Sequence, residues 1–269
     1  MITGAVLGSP IKHSLSPLLH KSAFEFLGVE GTYSPIEVVS GDLATFFESN
    51  KDRFEYFSIT MPLKEESLEL SVFKDELVTK IQSANTLYRK DQDWHLTSTD
   101  GSGFIAALNS RNVGQRQKVL ILGAGGTSRA IVGALDGIAD EIVVLGRTST
   151  RREALDSAVT HSIFEYRRWS DSIDFSEFDL VINTTPAGAA DLLAQSVERN
   201  PRALLFDVIY NPWPTVLASH WSDAGGDVMN GLELLIYQGI QQLQLVVSDE
   251  IEVPALTIHL RGILSKAIK

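Results

Sequence analysis

The stretch that decides the fold is Lys118-Val-Leu-Ile-Leu-Gly-Ala-Gly-Gly-Thr-Ser-Arg-Ala130, in which an apolar run leads straight into glycines. This order predicts a buried strand, a tight turn and then a helix whose N-terminal N–H groups face an anion, usually the pyrophosphate of a dinucleotide. Gly123 permits the turn, and Gly125 lets the backbone approach the phosphates. Ser128 stands where the usual Gly-x-Gly-x-x-Gly spacing has its third glycine, so a simple turn between strand and helix is the alternative.

A second apolar run, at 141–145, ends in Gly146-Arg147-Thr148. Roughly 20 residues beyond the glycine turn, NAD-binding folds place an acidic residue on the ribose, whereas an arginine suits the 2′-phosphate of NADP. No Asp or Glu closes this strand. Arg147, Thr148 and Arg151 instead offer guanidinium and hydroxyl donors that match a phosphate. The pattern favours NADP(H) as the cofactor, and the alternative is a solvated basic strand end.

The composition excludes several classes of protein. The chain has 269 residues, 44% of them hydrophobic and 21% charged, as in ordinary globular proteins with one large or two modest domains. A net charge of −11 argues against nucleic acid or an anionic membrane as the main partner. The absence of cysteine excludes disulfides and thiol catalysis. No apolar run suggests a signal peptide or a membrane span, so we expect a cytoplasmic protein. We also expect no metal site, and a monomer or homodimer.

Apolar runs alternate with segments of helical spacing along the chain, which predicts an α/β fold. From Lys118 onward the expected strands are nearly continuous apolar runs, as is typical of a parallel sheet covered by helices on both faces. Strands are expected at 4–7, 32–39, 56–60, 85–89, 94–97, 119–122, 142–145, 180–183, 204–208 and 228–229. Helices are expected at 17–27, 43–49, 101–108, 232–247 and 254–267, and a linker at 110–117.

Three polar clusters lie at the expected ends of strands or in loops, where ligands are usually held. They are Ser14-Leu-Ser16, Thr60-Met-Pro-Leu-Lys64, and Asn85-Thr86 with Thr99-Asp100-Gly101. Each cluster also has a purely structural interpretation. Ser16 before Pro17 is a possible helix N-cap, and so is Asp100. Thr60 before Met61-Pro62 is a possible strand end.

Together and in this order, these clusters and the glycine turn resemble the shikimate dehydrogenase family over nearly the whole chain. Any one run could arise by chance, whereas the ordered set is specific. The matching runs are Gly-Ser-Pro-Ile-Lys-His-Ser-Leu-Ser-Pro at 8–17, Thr-Met-Pro-Leu-Lys at 60–64, Ala-Asn-Thr at 84–86, Thr-Asp-Gly at 99–101, Gly-Ala-Gly-Gly-Thr-Ser-Arg-Ala at 123–130, Arg-Thr at 147–148, Asn-Thr-Thr-Pro at 183–186, Asp-Val-Ile-Tyr-Asn-Pro at 207–212 and Tyr-Gln-Gly at 237–239.

The resemblance implies reversible reduction of 3-dehydroshikimate to shikimate with NADPH, in the pathway to the aromatic amino acids. It implies a discontinuous α/β substrate domain, 1–110 with 232–269, and an inserted Rossmann-type parallel-sheet NADP domain, 111–231. In the family pattern Lys64 and Asp100 form the catalytic pair. The substrate would be bound by this pair and by Ser14, Ser16, Thr60, Asn85, Tyr210 and Gln238. The cofactor would be bound by Gly123, Ala124, Gly125, Gly126 and Thr127 at the pyrophosphate, by Gly146, Arg147, Thr148 and Arg151 at the 2′-phosphate, and by Val208 and Gly231 at the nicotinamide.

The residue types suit this chemistry. Reduction of a carbonyl creates an alkoxide that needs a proton, so a general acid must lie within hydrogen-bond reach. Lys64 can give that proton, and Asp100 can orient it. A substrate with several hydroxyls and one carboxylate favours short polar donors of the Ser, Thr, Asn and Gln type. His13 is a rival proton donor by residue type, but its place beside a serine-rich turn favours local hydrogen bonding.

Three positions depart from the family pattern without removing a catalytic group. Ser98 replaces the asparagine before Thr-Asp-Gly, Gly146 replaces the asparagine before Arg-Thr, and Ala189 stands where methionine is typical. Two other functions stay open. A quinate/shikimate dehydrogenase that prefers NAD predicts an acidic residue near 146–148, and a nucleotide-binding sensor without activity predicts loss of the catalytic pair.

Overall fold

The computed structural model describes residues 1–111 and 117–268. The chain forms two compact units, Met1–Gly103 with Leu235–Ala267, and Phe104–Leu234. The first boundary follows Gly103, slightly before the expected boundary at 110. The second follows Leu234, slightly after the expected boundary at 231. The first boundary lies before 110 because Phe104 packs in the second unit. Phe104 is buried, and its ring contacts Phe206 of the same unit with centroids 5.0 Å apart. Of the expected linker, residues 112–116 lie outside the described residues.

Strands and helices alternate along the described residues, and every expected element is present with its ends shifted by at most a few residues. The strands are β1 (Ile2–Gly8), β2 (Gly31–Glu37), β3 (Tyr56–Ile59), β4 (Phe73–Lys74), β5 (Thr86–Lys90), β6 (Asp93–Thr97), β7 (Lys118–Leu122), β8 (Glu141–Gly146), β9 (Ile163–Arg168), β10 (Leu180–Asn183), β11 (Leu204–Asp207) and β12 (Val228–Met229). The helices are α1 (Ser16–Leu27), α2 (Leu43–Asn50), α3 (Leu63–Glu66), α4 (Glu76–Ile81), α5 (Asp100–Asn109), α6 (Gly126–Leu135), α7 (Arg152–Asp156), α8 (Val216–Asp223), α9 (Gly231–Val246) and α10 (Val253–Leu264).

Two strands do not follow from the sequence pattern. β4 has only two residues, and both are exposed. β9 lies at the edge of its sheet and carries Glu165, Arg167 and Arg168, so it has no continuous apolar run. Both join their sheets through backbone pairing with a neighbouring strand, β4 with β6 and β9 with β8, rather than through burial of their own side chains.

The sheet of the first unit has the strand order β2-β1-β3-β5-β6-β4. β2, β1 and β3 are parallel, and β5 and β6 form the expected antiparallel pair. Leu7 of β1 pairs with Ile59 of β3, so the loops that follow these strands start side by side. The N–H of Ile59 donates to the carbonyl of Asn85 over 2.7 Å, which brings a third polar cluster to the same edge.

The sheet of the second unit is entirely parallel and has the order β12-β11-β10-β7-β8-β9. If β7 to β12 are numbered 1 to 6 within this unit, the order is 6-5-4-1-2-3, which is the strand order of a dinucleotide-binding Rossmann fold. β7 and β10 are neighbours at the point where the strand order reverses, and ligands bind at the carboxyl ends of such strands. The predicted fold class, two α/β domains with one of Rossmann type, is confirmed. Among the described helices, none is long and apolar enough to span a bilayer.

Helices α5 and α9 approach closely at Gly103, where a Cβ would lie 2.7 Å from the backbone nitrogen of Gln238. Backbone atoms cannot move aside as a flexible side chain can, so we expect Gly103→Ala to lower the free energy of unfolding by about 1–3 kcal/mol. Gly262 in α10 has no atom within 4 Å of the same position. Gly262→Ala is therefore the matched control and should be neutral or stabilising. Urea unfolding compares them, and equal stabilities would contradict this packing.

A buried aromatic cluster in the first unit surrounds His20. Its ring stacks on Tyr33 with centroids 4.0 Å apart, and its Nδ1 shares a 2.8 Å hydrogen bond with the Tyr56 hydroxyl. Burial lowers the pKa of His20 to about 3, because a charged ring would lose its hydration there, and the side chain of Gln242 opposes this lowering only in part. The ring is therefore neutral in the folded protein at neutral pH.

This neutral histidine predicts acid sensitivity. Since the folded pKa of about 3 lies below the ordinary 6.5, its contribution to stability is complete above about pH 6.5 and is lost as the pH falls toward 3. Between pH 7 and 5 the free energy of unfolding should fall by about 2 kcal/mol less in His20→Gln than in wild type. The exposed His161→Gln is the control. Equal falls in all three proteins would contradict a neutral, buried His20.

Candidate active site

Lys64 and Asp100, the expected catalytic pair, form an ion pair in the first unit. Lys64 lies in α3, and its Nζ donates to Oδ2 of Asp100. The two side chains are only 14% and 7% exposed, so water screens their attraction weakly. Asp100 is the first residue of α5 rather than its N-cap. The structure therefore pairs a possible proton donor with a carboxylate that orients it.

Asn85 holds this pair from the side of the sheet. Its Oδ1 accepts the backbone N–H of Thr99 over 2.8 Å. Because a backbone N–H can only donate, the amide oxygen must face Thr99, and the amide nitrogen must then face the other way. Nδ2 donates to Oδ1 of Asp100 over 2.8 Å, so Lys64 and Asn85 engage the two carboxylate oxygens separately. Asn85 is 2% exposed, which keeps this arrangement away from competing water.

Gln238 reaches the same cluster from α9. Its Oε1 accepts from Nδ2 of Asn85 over 3.2 Å, and its Nε2 donates to the carbonyl of Leu235 over 2.9 Å. The close approach of α5 and α9 at Gly103 sets this position. Four of the expected site residues, Lys64, Asn85, Asp100 and Gln238, are thus joined by hydrogen bonds.

Sequence reasoning missed a supporting layer behind Asn85. Gln242, one turn after Gln238 on α9, donates through Nε2 to the Thr86 hydroxyl over 2.8 Å and accepts at Oε1 from Ser58 over 2.6 Å. The Thr86 hydroxyl in turn donates to Oδ1 of Asn85 over 2.8 Å. Gln242 is fully buried. A glutamine four residues from a site glutamine on an otherwise apolar helix face is the signal that could have found it.

Ser14 and Thr60 lie in the loops that follow β1 and β3, and Ser16 is the first residue of α1. The backbone N–H of Ser9 donates to the carbonyl of Met61 over 3.1 Å, so these loops are bonded to each other. Ser16 is not the N-cap of α1, as one interpretation holds, because Leu15 has that position and the helix begins at Ser16. The hydroxyl of Ser14 accepts the N–H of Ser16 over 3.3 Å and so orders this turn.

Two other polar residues near the site differ in accessibility. His13, the rival proton donor, is exposed. Ser98, which replaces the family's asparagine, is 4% exposed, and its hydroxyl has no hydrogen-bond partner among the described residues. Ser98 directly precedes Thr99 and Asp100 in the sequence.

The glycine turn between β7 and α6 has two backbone features that can accommodate an anion. Gly123 has a φ of +106°, which L side chains rarely adopt, and Gly125 is the N-cap of α6 without a capping side chain. The first N–H groups of a helix so capped can bind an anion. The Ser128 hydroxyl donates to the carbonyl of Gly123 over 2.8 Å. Serine in place of the third glycine therefore braces the turn, and Ala124, Gly126 and Thr127 remain half-buried around it.

The residues expected at the 2′-phosphate follow β8. Arg147, Thr148 and Arg151 are exposed, whereas Gly146 is buried. Nη1 of Arg151 lies 3.7 Å from the position of a Cβ on Gly125, so this guanidinium stands beside the glycine turn. The space that a side chain at 146 would need is filled by Tyr166. Of the two arginines, Arg151 is thus the one placed beside the glycine turn, and Arg147 directly follows β8.

Val208 and Gly231, expected at the nicotinamide, lie together. A Cβ on Gly231 would overlap the carbonyl oxygen of Val208. Asp207 supports this region, because its carboxylate accepts from Nδ2 of Asn183 over 3.1 Å and from the Thr215 hydroxyl over 2.6 Å. Burial raises the pKa of Asp207, and these hydrogen bonds oppose the rise. Tyr210 follows in the same unit, half-buried, and Ala189 lies in an exposed turn.

Two family profiles match the chain. The profile described as shikimate dehydrogenase substrate binding domain matches residues 6–87, and the one described as shikimate / quinate 5-dehydrogenase matches residues 107–212. The shikimate dehydrogenase (NADP(+)) of Staphylococcus aureus strain Newman is 31% identical over 256 residues, which are 93% of this chain and 94% of that protein.

Solved structures agree. The Mycobacterium tuberculosis shikimate dehydrogenase has a TM-score of 0.86 and 30% identity, covering 97% of this chain and 100% of that chain. The Thermus thermophilus shikimate 5-dehydrogenase in complex with NADP(H) and shikimate has a TM-score of 0.82 and 27% identity, covering 98% and 100%. By sequence and by structure, the chain belongs to the shikimate dehydrogenase family.

Proposed function

We propose that this chain is an NADP-dependent shikimate dehydrogenase that reversibly reduces 3-dehydroshikimate to shikimate. The observation that carries the proposal is the Lys64–Asp100 ion pair, held by Asn85 in a chain of this family. The relatives named as NADP(+) enzymes, and the Thermus thermophilus complex with NADP(H) and shikimate, support the same reaction and cofactor.

The second unit supplies the groups for an NADP(H) site. Residues 123–127 hold the pyrophosphate, because they combine a glycine turn with a helix N-terminus. Arg147, Thr148 and Arg151 hold the 2′-phosphate together with Gly146, and Val208 and Gly231 border the nicotinamide. When bound, NADPH supplies the hydride for the carbonyl carbon.

Lys64 and Asp100 handle the proton. Nζ of Lys64 gives a proton to the oxygen of the reduced carbonyl, and in the reverse direction it accepts one from the substrate hydroxyl. Asp100 orients the ammonium through the ion pair. Asn85 binds the second carboxylate oxygen, so the carboxylate cannot rotate away from Lys64. The network therefore preorganises the donor before the substrate arrives.

The remaining side chains select the substrate. Neutral hydroxyl and amide donors, at Ser14, Ser16, Thr60, Asn85 and Gln238, bind its hydroxyls and carboxylate. Ser16, Asn85 and Gln238 are buried. An analogue that lacks a hydroxyl leaves such buried polar groups unpaired and is therefore rejected. The two rival functions are less well supported, because no acidic residue stands at 146–148 and the catalytic pair is present.

The direct test mixes the purified chain with shikimate and either NADP or NAD and follows formation of the reduced nicotinamide by its near-ultraviolet absorbance. We expect turnover with NADP and slower turnover with NAD, because Arg147 suits the 2′-phosphate. Absence of turnover with both cofactors would overturn the proposal. A clear preference for NAD would instead favour the quinate/shikimate paralogue.

A substitution separates chemistry from cofactor binding. Lys64→Ala should lower kcat by about 10²- to 10⁴-fold, because the proton donor is lost. The Kd of NADP should stay within about twofold of wild type. Lys51→Ala is the matched control, because Lys51 forms only an exposed ion pair with Glu48. A parallel loss of turnover and NADP affinity in Lys64→Ala would show that the lysine is structural.

A further inference from the structure

Tyr166 of β9 fills the space beside the last residue of β8. β8 and β9 pair in parallel, with Val144 in register with Tyr166. The Tyr166 side chain crosses the backbone at Gly146, where a Cβ would overlap the phenol oxygen and lie 2.6 Å from Cζ. Glycine at 146 and tyrosine at 166 are therefore a matched pair, since any side chain at 146 would displace the ring.

The Tyr166 hydroxyl also anchors the loop that follows β8. It donates a hydrogen bond to the backbone carbonyl of Thr148. Residues 147–151 are exposed, so packing does little to hold them in place. The hydroxyls of Thr148 and Thr150 lie 2.8 Å apart and form a second link within the loop. The phenol thus sets the path of the main chain next to Arg147.

Arg151 connects this tyrosine to the glycine turn. Burial raises the pKa of Tyr166, and the positive charge of Arg151 opposes this rise. Salt screens exposed charges beyond about 10 Å, so the guanidinium must lie near the phenol. The same guanidinium stands beside Gly125. Tyr166 therefore lies among the residues that the proposed function assigns to the phosphates of the cofactor.

We propose that Tyr166 is a positioning residue for NADP selectivity, whose hydroxyl holds the loop after β8 so that Arg147 and Thr148 face the 2′-phosphate. This inference rests on the proposed function, because it requires the second unit to bind NADP. The anchored carbonyl belongs to the part of the site that distinguishes NADP from NAD. Loss of the anchor therefore affects the 2′-phosphate and leaves the pyrophosphate at the glycine turn unaffected.

Tyr166→Phe tests the hydroxyl, because it keeps the ring and removes the hydrogen bond. Isothermal titration of the full chain should show the Kd of NADP raised about three- to tenfold, as expected for one hydrogen bond, and the Kd of NAD changed by less than about twofold. Tyr88→Phe is the matched control, because Tyr88 is a half-buried tyrosine of β5 in the first unit. It should change neither constant.

Gly146→Ala tests the same contact from the other strand. The added Cβ displaces the phenol, so the ratio of NADP to NAD affinity should fall as in Tyr166→Phe. In the double variant the ratio should fall no further than in the more affected single variant, because both changes remove the same hydrogen bond.

Two results would overturn the inference. Equal losses of NADP and NAD affinity in Tyr166→Phe would show a general structural role, and an unchanged ratio would show that the hydroxyl plays no part. Failure of the proposed function has a different signature: the wild-type chain would then bind neither nucleotide, and the inference would fall with it.

Discussion

The amide of Asn85 is the constraint on which the site of the first unit depends. Since the backbone N–H of Thr99 can only donate to it, the amide has one orientation, and that orientation directs its nitrogen toward Asp100. Gln238 on α9 accepts from the same nitrogen. A residue beside the sheet thus aligns groups from two helices far apart in sequence. Without it, the carboxylate would lose the hydrogen bond at Oδ1 that opposes its rotation.

In the second unit, a different hydrogen-bond network holds the ends of the strands. Asp207 and Asn183, at the carboxyl ends of neighbouring parallel strands, bond to each other and to the loops that follow them. Burial of a carboxylate is costly unless it is hydrogen-bonded, and these partners offset that cost. The loops with Val208 and Thr185 are therefore held firmly at the edge where the strand order reverses. In both units, buried polar side chains bonded to one another organise the ends of the strands.

Much of this could be predicted from sequence, because the signals are local. Nearly continuous apolar runs predict β7 and β8, and the glycine turn with Arg147 indicates the kind of nucleotide. Lys64 and Asp100 could be paired only through a family pattern, since 36 positions separate them and no local rule joins them. Gln242 and Tyr166 were missed because their roles depend on neighbours from other elements. Gly146 is an example. From sequence it is only a departure from the family's asparagine, whereas the structure shows that the Tyr166 ring fills the space of the missing side chain.

In the proposed proton transfer, Lys64 and Asp100 act as one unit. A double-mutant cycle on kcat/KM for shikimate oxidation tests it, with wild type, Lys64→Ala, Asp100→Ala and the double variant, and with the Kd of NADP measured in each as a check on folding. If the pair acts as a unit, the double variant loses about as much kcat/KM as the more affected single variant. Losses that multiply would show two independent contributions and contradict the account.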